Sequence, residues 1–326
     1  MKVYEIREPK GIEALTQAER PTPEPAHGEV LVRMRATSLN YRDLAVARGA
    51  YGRGVHYPII PLSDGAGEVV ALGPGATRWH VGERVAGIFM QGWISGRVDQ
   101  EKANTAMGGA IEGVLAEYRV FPEEGLVAIP THLSFEEGAT LACAGVTAWR
   151  ALDGLRPGET VLVQGTGGVS LFALQFAKMA GARVIATSSS DAKLERARAL
   201  GADVLVNYKL TPDWEKPASG VDRIVEVGGA GTLAKSLKAV RMGGTVVLIG
   251  ILTGKGEVDP QPVLMKSIRL QGIYVGSREM FEEMNRAISQ AAMKPVIDRV
   301  FPFAEALAAY QLLESGGHFG KIVIGV

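Results

Sequence analysis

Cysteine is nearly absent from the chain. Cys143 is the only one in 326 residues, which excludes an internal disulfide and any cysteine-based zinc cluster. Net charge is absent too, with 35 basic residues against 35 acidic ones. The chain therefore offers no electrostatic footprint for nucleic acid or for an anionic membrane. No apolar run approaches the ~18–20 residues that a bilayer-spanning helix requires, and the opening MKVYEIREPKG has no apolar signal core. A soluble cytoplasmic protein is the expectation. What the sequence does have is glycine, 41 residues of it, beside 47% hydrophobic residues. That describes a turn-rich globular chain long enough for two domains with their own cores.

The stretch around which the rest is arranged is ETVLVQGTGGVSLFALQFAKMAG, residues 159–181. Val161, Leu162 and Val163 form an apolar run suited to a strand buried on both faces. Gly165, Gly167, Gly168 and Val169 follow, and then Leu171, Leu174, Gln175 and Lys178 recur at helical spacing until Gly181. Strand, glycine turn and helix together bind a dinucleotide pyrophosphate. Glycines let the backbone approach, and the unpaired N–H groups at the helix start face the anion. The glycine triplet alone is weakly specific; the strand before it and the helix after it supply the context. Ser170 stands where the third glycine of the motif belongs.

Upstream, residues 3–7, 28–37, 64–73, 84–89 and 114–121 read as strands, with a short helix over 40–49 and an extended proline-bearing loop over 20–27. Residues 90–113 are irregular, which in a compact domain marks a functional or mobile segment. Helical periodicity covers 135–152. From residue 159 onward, strands at 161–164, 183–187, 204–207, 223–227, 244–249 and 267–275 alternate with helices, notably 191–200 and 231–240. Six strands joined largely by helices predict a doubly wound parallel sheet. The tail carries helices at 280–291 and 304–313 and a strand at 321–326.

The residue that meets the adenosine ribose lies about twenty positions past the glycine turn. Here it is Ser188, followed by Ser189, with Lys193 one helical turn on. Small neutral donors and a nearby cation favour NADP(H); the alternative is that Ser188–Asp191 merely caps the next helix. NAD(H) stays open.

Taken jointly, ATSLNYRD (36–43), PLSDGAGEVVALGPGAT (61–77), VGERVAG (81–87), the 159–181 unit and the terminal GKIVIGV make the chain resemble the medium-chain dehydrogenase/reductase superfamily over essentially its full length. The resemblance implies an α/β protein in which a doubly wound Rossmann domain is inserted in a β-rich GroES-like domain. The implied division is 1–124, 125–276 and a return over 277–326. It also implies a substrate cleft between the domains and a homodimer formed by edge-to-edge joining of the nucleotide-binding sheets. Asn40, Ser63 and Thr140 fall where zinc alcohol dehydrogenases of the superfamily hold zinc with Cys, His and Cys, so no zinc is expected. Asn40-Tyr41-Arg42-Asp43 resembles the N-x-x-D of the zinc-free quinone oxidoreductase and enoyl reductase branches. By the same resemblance Thr147 lies near nicotinamide and Tyr208 near a 2′-phosphate. Gly250, Ile251, Val275, Gly276, Ser277 and Lys321 fall where backbone and a basic residue meet nicotinamide and pyrophosphate.

Hydride transfer needs a group that stabilises charge on the acceptor oxygen. Without a metal, a phenol or an amide must serve, and such donors suit conjugated acceptors, whose reduced oxygen is delocalised. Tyr51, in GAYG (49–52), matches a catalytic tyrosine of enoyl reductases; Tyr41 is the alternative donor. Asn40 would orient a carbonyl or a water, or merely cap a helix. Asp43 and Cys143 read as structural, and Trp93 as either a cleft lining or a packing anchor. The expected function is reduction of a small-molecule quinone or enone. A zinc-free alcohol or aldehyde dehydrogenase and a non-catalytic NADPH-binding sensor are the alternatives.

Overall fold

The computed structural model describes residues 1–52 and 54–326. The chain divides into two compact units, one of residues 1–146 with 275–326, the other of residues 147–274.

The second unit is built on a six-stranded sheet. Its spatial order is Val204–Asn207, Arg183–Ser188, Thr160–Gln164, Val221–Glu226, Val240–Leu248 and Arg269–Gly272, and every pairing is parallel. In chain order that is 3-2-1-4-5-6, the doubly wound arrangement whose direction reverses between the first and fourth strands. Ligands bind outside the carboxyl ends of the strands at that reversal. Thr160–Gln164 and Val221–Glu226 therefore flank the place where a dinucleotide is received. The helix Gly168–Met179 covers the sheet with a buried face of Leu171, Phe172, Leu174 and Phe176. Each such side chain, fully buried, stabilises the unit by about 1.5–3 kcal/mol. Phe172 stacks on Phe176, and Trp149 meets Phe176 edge-on with centroids 5.4 Å apart.

The first unit is β-rich. A seven-stranded sheet runs Ile297–Pro302, Lys321–Gly325, Glu29–Ser38, Asp64–Leu72, Arg84–Gly87 and Leu126–Ala128, with Tyr118–Pro122 also paired to Glu29–Ser38. Lys2–Ile6 and Leu15–Glu19 form a separate two-stranded ribbon. The last strand, Lys321–Gly325, lies between Ile297–Pro302 and Glu29–Ser38. That places Lys321 beside residues near the start of the chain.

Several elements differ from expectation. The strand foreseen over 114–121 begins only at Tyr118; before it, the N–H groups of Gly113 and Val114 bond Ile60 O and Pro61 O in an irregular turn. The helix foreseen over 135–152 is three pieces: Phe135–Gly138, a π-helical turn over Leu141–Gly145, and Val146–Ala151. The strand foreseen over 267–275 shortens to Arg269–Gly272. Strands Leu15–Glu19, Leu126–Ala128 and Ile297–Pro302 and the helix Gln261–Met265 were not foreseen.

Candidate active site

The glycine turn of the second unit has the geometry its sequence predicts. Gly165 has φ +71°, a backbone conformation that side-chain-bearing residues rarely adopt, and its N–H bonds Thr187 O at 2.8 Å. Gly167 is the N-cap of a 12-residue helix. No atom lies within 4 Å of where a Cβ would stand on either glycine. That open space leaves the N–H groups of the first helical turn, including those of Gly168 and Val169, approachable by an anion. The turn fits a nicotinamide dinucleotide. Ser170, in place of the third glycine, is buried, and its hydroxyl donates to Gln164 O at 2.6 Å, tying the helix to the strand end.

At the adenosine end, Ser188 closes the strand Arg183–Ser188. Tyr208 follows the neighbouring strand and donates its N–H to Ser188 O at 3.0 Å, so these two predicted residues are brought together. Tyr208 is exposed and Ser188 is buried. Ser190, not Ser188 or Asp191, is the N-cap of helix Asp191–Ala199, accepting from the Lys193 N–H. Asp191 instead accepts a hydrogen bond from Asn207 Nδ2 at 2.7 Å.

Glu226, at the carboxyl end of its strand, had drawn no notice in the sequence. It is fully buried, and its Oε1 accepts from the N–H groups of Gly228 at 2.8 Å and Gly229 at 3.0 Å and from Thr232 Oγ1 at 2.5 Å. Its Oε2 accepts from Gln164 Nε2 at 2.7 Å and from Ser236 Oγ. One carboxylate thus ties the first strand, the fourth strand and the loop leading into helix Ala230–Ala239. Gly250 passes so close that a Cβ there would stand 2.2 Å from Val227 O, and Ile251 beyond it is exposed. Thr147 is buried at the start of this unit.

In the first unit, Asn40 precedes helix Tyr41–Ala47, and its N–H donates to Asp43 Oδ2 at 2.7 Å. The Asn40 side chain is turned elsewhere: its Oδ1 accepts from Lys321 Nζ at 2.6 Å, and its Nδ2 is buried with no partner among the described residues. Lys321 also donates to Leu39 O at 2.6 Å and lies 3.8 Å from Asp64 Oδ2. Lys321 is buried within this cluster. Ser277 likewise is a buried helix N-cap that accepts from the Met280 N–H. Val275 has φ +45°, a strained conformation for a β-branched residue, and Gly276 faces Val146.

Asn40, Ser63 and Thr140 offer an amide and two hydroxyls, whereas zinc takes thiolate, imidazole or carboxylate. Ser63 Oγ donates to Asp64 Oδ1 at 2.7 Å, Thr140 Oγ1 donates to Glu137 O at 2.7 Å, and the Asn40 oxygen holds an ammonium. The Cys143 thiol is pushed upward by burial, with the Asp64 carboxylate adding to the shift. It is a poor thiolate source.

Arg42 is buried and organises the nearby turn. It donates to Met107 O at 2.9 Å and Gly108 O at 3.3 Å, and its guanidinium stands 4.3 Å from the Tyr51 ring centre and 4.8 Å from that of Phe89. Tyr51 is half-buried on this cation, and Tyr41 is exposed. Asp43 is wholly buried. Burial pushes its carboxyl up to about 6, against the opposing pull of Arg42 and of the Asn40 N–H. Trp93 is a packing anchor, buried, with its Nε1 donating to Gly96 O at 3.0 Å.

A doubly wound dinucleotide-binding unit within a β-rich unit, with polar side chains gathered beside the latter's last strand, defines a nicotinamide-dependent oxidoreductase. Two family models match: an alcohol dehydrogenase GroES-like domain over residues 26–131 and a zinc-binding dehydrogenase domain over residues 168–290. The chain belongs to the medium-chain dehydrogenase/reductase superfamily. It is 41% identical to a zinc-type alcohol dehydrogenase-like protein of Schizosaccharomyces pombe, across 92% of this chain and 91% of that one. A quinone oxidoreductase of Rattus norvegicus is 28% identical across 99% and 96% of the two chains. The solved structure of an NAD-dependent alcohol dehydrogenase superposes with a TM-score of 0.91 at 35% identity, covering both chains completely.

Proposed function

We propose that this protein is an NADPH-dependent reductase of quinones or α,β-unsaturated carbonyls that works without a catalytic zinc. The observation that carries the reading is the donor chemistry at Asn40, Ser63 and Thr140. An amide whose oxygen holds the Lys321 ammonium and two hydroxyls hydrogen-bonded within the protein compete poorly for a dication. Without a metal, a neutral phenol or amide donor must polarise the acceptor, and such donors serve a delocalised enolate or phenolate better than a localised alkoxide, which favours conjugated acceptors. Similarity to a quinone oxidoreductase supports the same choice.

When bound, the reduced nicotinamide supplies a hydride, one hydrogen with two electrons, to the acceptor's conjugated carbon. The residues of this chain do the rest. N–H groups around Gly165, Gly167, Gly168 and Val169 hold the pyrophosphate. Ser188, Ser189, Lys193 and Tyr208 would receive the 2′-phosphate, and Thr147, Gly250 and Ile251 would border the nicotinamide. Asn40 orients the acceptor carbonyl or a water. Tyr51, or Tyr41 in its place, gives the proton that completes the reduced product, and solvent restores it. Steady NADPH consumption with an enone and a quinone, absent with cofactor alone, tests the reading. A protein that binds NADPH but oxidises none of it with either acceptor would overturn it.

A second reading is a zinc-free alcohol or aldehyde dehydrogenase; the alcohol dehydrogenase part of it is favoured by the names of relatives. Turnover of secondary alcohols with the oxidised cofactor at a rate above that with enones would select it.

A further inference from the structure

We propose that Thr253 is a positioning residue for the cofactor: its hydroxyl latches the loop after the fifth strand of the parallel sheet to the loop after the fourth, and so fixes Ile251 as an apolar wall for the nicotinamide ring. The inference rests on the function proposed above in taking the cofactor to be a nicotinamide dinucleotide. It does not depend on the acceptor.

All the residues concerned belong to the second unit. A sheet of order 3-2-1-4-5-6 receives one mononucleotide on each side of its reversal. Strands Thr160–Gln164 and Arg183–Ser188 lead into the glycine turn and the ribose position, so the adenosine half belongs to that side. The nicotinamide half then falls to the carboxyl ends of Val221–Glu226 and Val240–Leu248. The loops that leave those ends, 227–229 and 249–254, are bound to each other. The Thr253 N–H donates to Gly228 O at 2.9 Å. Thr253 Oγ1 donates to the same carbonyl at 2.7 Å and accepts from the Gly231 N–H at 2.8 Å. A carbonyl only accepts and an amide N–H only donates, so both roles of the hydroxyl are fixed.

Gly231 lies in the first turn of helix Ala230–Ala239, whose N-cap, Gly229, has no side chain to offer. Thr253 supplies from another loop the capping oxygen that this helix lacks. Missing side chains also let the loops touch. A Cβ on Gly229 would stand 2.9 Å from Ile251 Cα, and one on Gly231 would stand 3.0 Å from Thr253 Cβ. The Gly254 N–H donates to Ile251 O at 2.9 Å and closes the tip into a turn. What this fastening holds out is Ile251, 70% exposed, with Leu252 exposed beside it. A single exposed apolar residue is ordinary by itself. One pinned at a strand's carboxyl end, on the nicotinamide side of the reversal, has an occupant to cover it. A wall fixed before its ligand arrives costs no ordering on binding.

Thr253→Val tests the latch, because valine keeps the branched shape and removes the hydroxyl. The Kd of NADPH and of NADH is compared, by titration, with that of the same molecule lacking the nicotinamide ring, ADP-ribose with or without its 2′-phosphate. Thr253→Val should weaken both dinucleotides about tenfold and leave both fragments within about twofold, the ring having lost its apolar wall. Thr253→Ser, which keeps the hydroxyl, should bind like wild type. Ile251→Ser, which leaves the latch in place, should reproduce the loss. A hydroxyl that only caps the helix would lower the urea midpoint of Thr253→Val without changing the ratio of dinucleotide to fragment Kd, and that result overturns the inference. So would an equal loss for dinucleotide and fragment, a wild-type ratio in Ile251→Ser, or a wild type that binds neither dinucleotide. A protein that shows the expected shifts in Kd but consumes NADPH with neither enone nor quinone would instead reject the proposed function.

Discussion

Arg42 touches both Tyr51 and Asp43, and the two neighbours lead to different tests. The Tyr51 ring lies on the buried guanidinium, and Tyr51→Phe retains the ring and that contact. If the phenol protonates the reduced acceptor, kcat should fall by roughly 100-fold with NADPH affinity unchanged, measured by single-turnover NADPH oxidation. Enones should suffer more than quinones, whose reduced oxygen is a stable anion that water protonates later. Equal loss with both, or none, removes Tyr51 from that step. Asp43 titrates near 6 in the folded protein, against 3.8 for the ordinary group, chiefly because it is buried. A folded-state value above the unfolded one contributes stability that is fully present below the unfolded pKa and lost as pH rises through the folded pKa. Between pH 3.8 and about 6, wild type should therefore lose stability relative to Asp43→Asn as pH rises. Urea midpoints for both proteins across that window check it, and parallel curves would contradict it. At this scale the sequence was legible where chemistry is local: the glycine turn at Gly165 and Gly167 could be read from its neighbours. The partnership of Lys321 with Asn40 could not, because 281 residues separate them and only the return of the last strand joins them.

Among the elements, the six parallel strands of the second unit were readable because buried strands are continuous apolar runs separated by helical spacing. The ribbon strand Leu15–Glu19, LTQAE, and the edge strand Ile297–Pro302, IDRVFP, carry little of that pattern, and pairing with a neighbour decides them. Glu226 was invisible for a related reason: a single carboxylate at a strand end looks like any solvated charge. Its five donors make a specific prediction. Glu226→Ala strands at least the buried Gly228 and Gly229 N–H groups and should destabilise the protein by about 3 kcal/mol or more, while loosening the loop beside Gly250 and weakening NADPH binding. Denaturant unfolding and cofactor titration test this; a variant of wild-type stability and affinity would show that water replaces the carboxylate without consequence. The neighbouring Ser188 and Tyr208, joined by a backbone hydrogen bond, give a further test. Lys193→Ala should reduce the preference for NADPH over NADH about tenfold or more, the worth of a charge-assisted bond to phosphate. Equal Kd ratios in the variant and wild type would leave the serine run with capping alone.

For the whole molecule, the edge of the parallel sheet bears on assembly. Strand Arg269–Gly272 is exposed along its length, and Leu264, Met265 and Leu270 beside or within it are exposed apolar side chains. An open apolar edge of this kind invites pairing with a second copy. We expect a homodimer through that edge, with Leu264→Glu combined with Leu270→Glu shifting the mass seen by light scattering to that of one chain. Hydride transfer on neutral donors, without a catalytic metal, is the expectation for this protein. It is tested most directly by NADPH oxidation with an enone after exhaustive treatment with a strong zinc chelator. The chelated protein should keep its full rate, and added zinc should not raise it. A rate lost on chelation and restored by about one zinc per chain would contradict it.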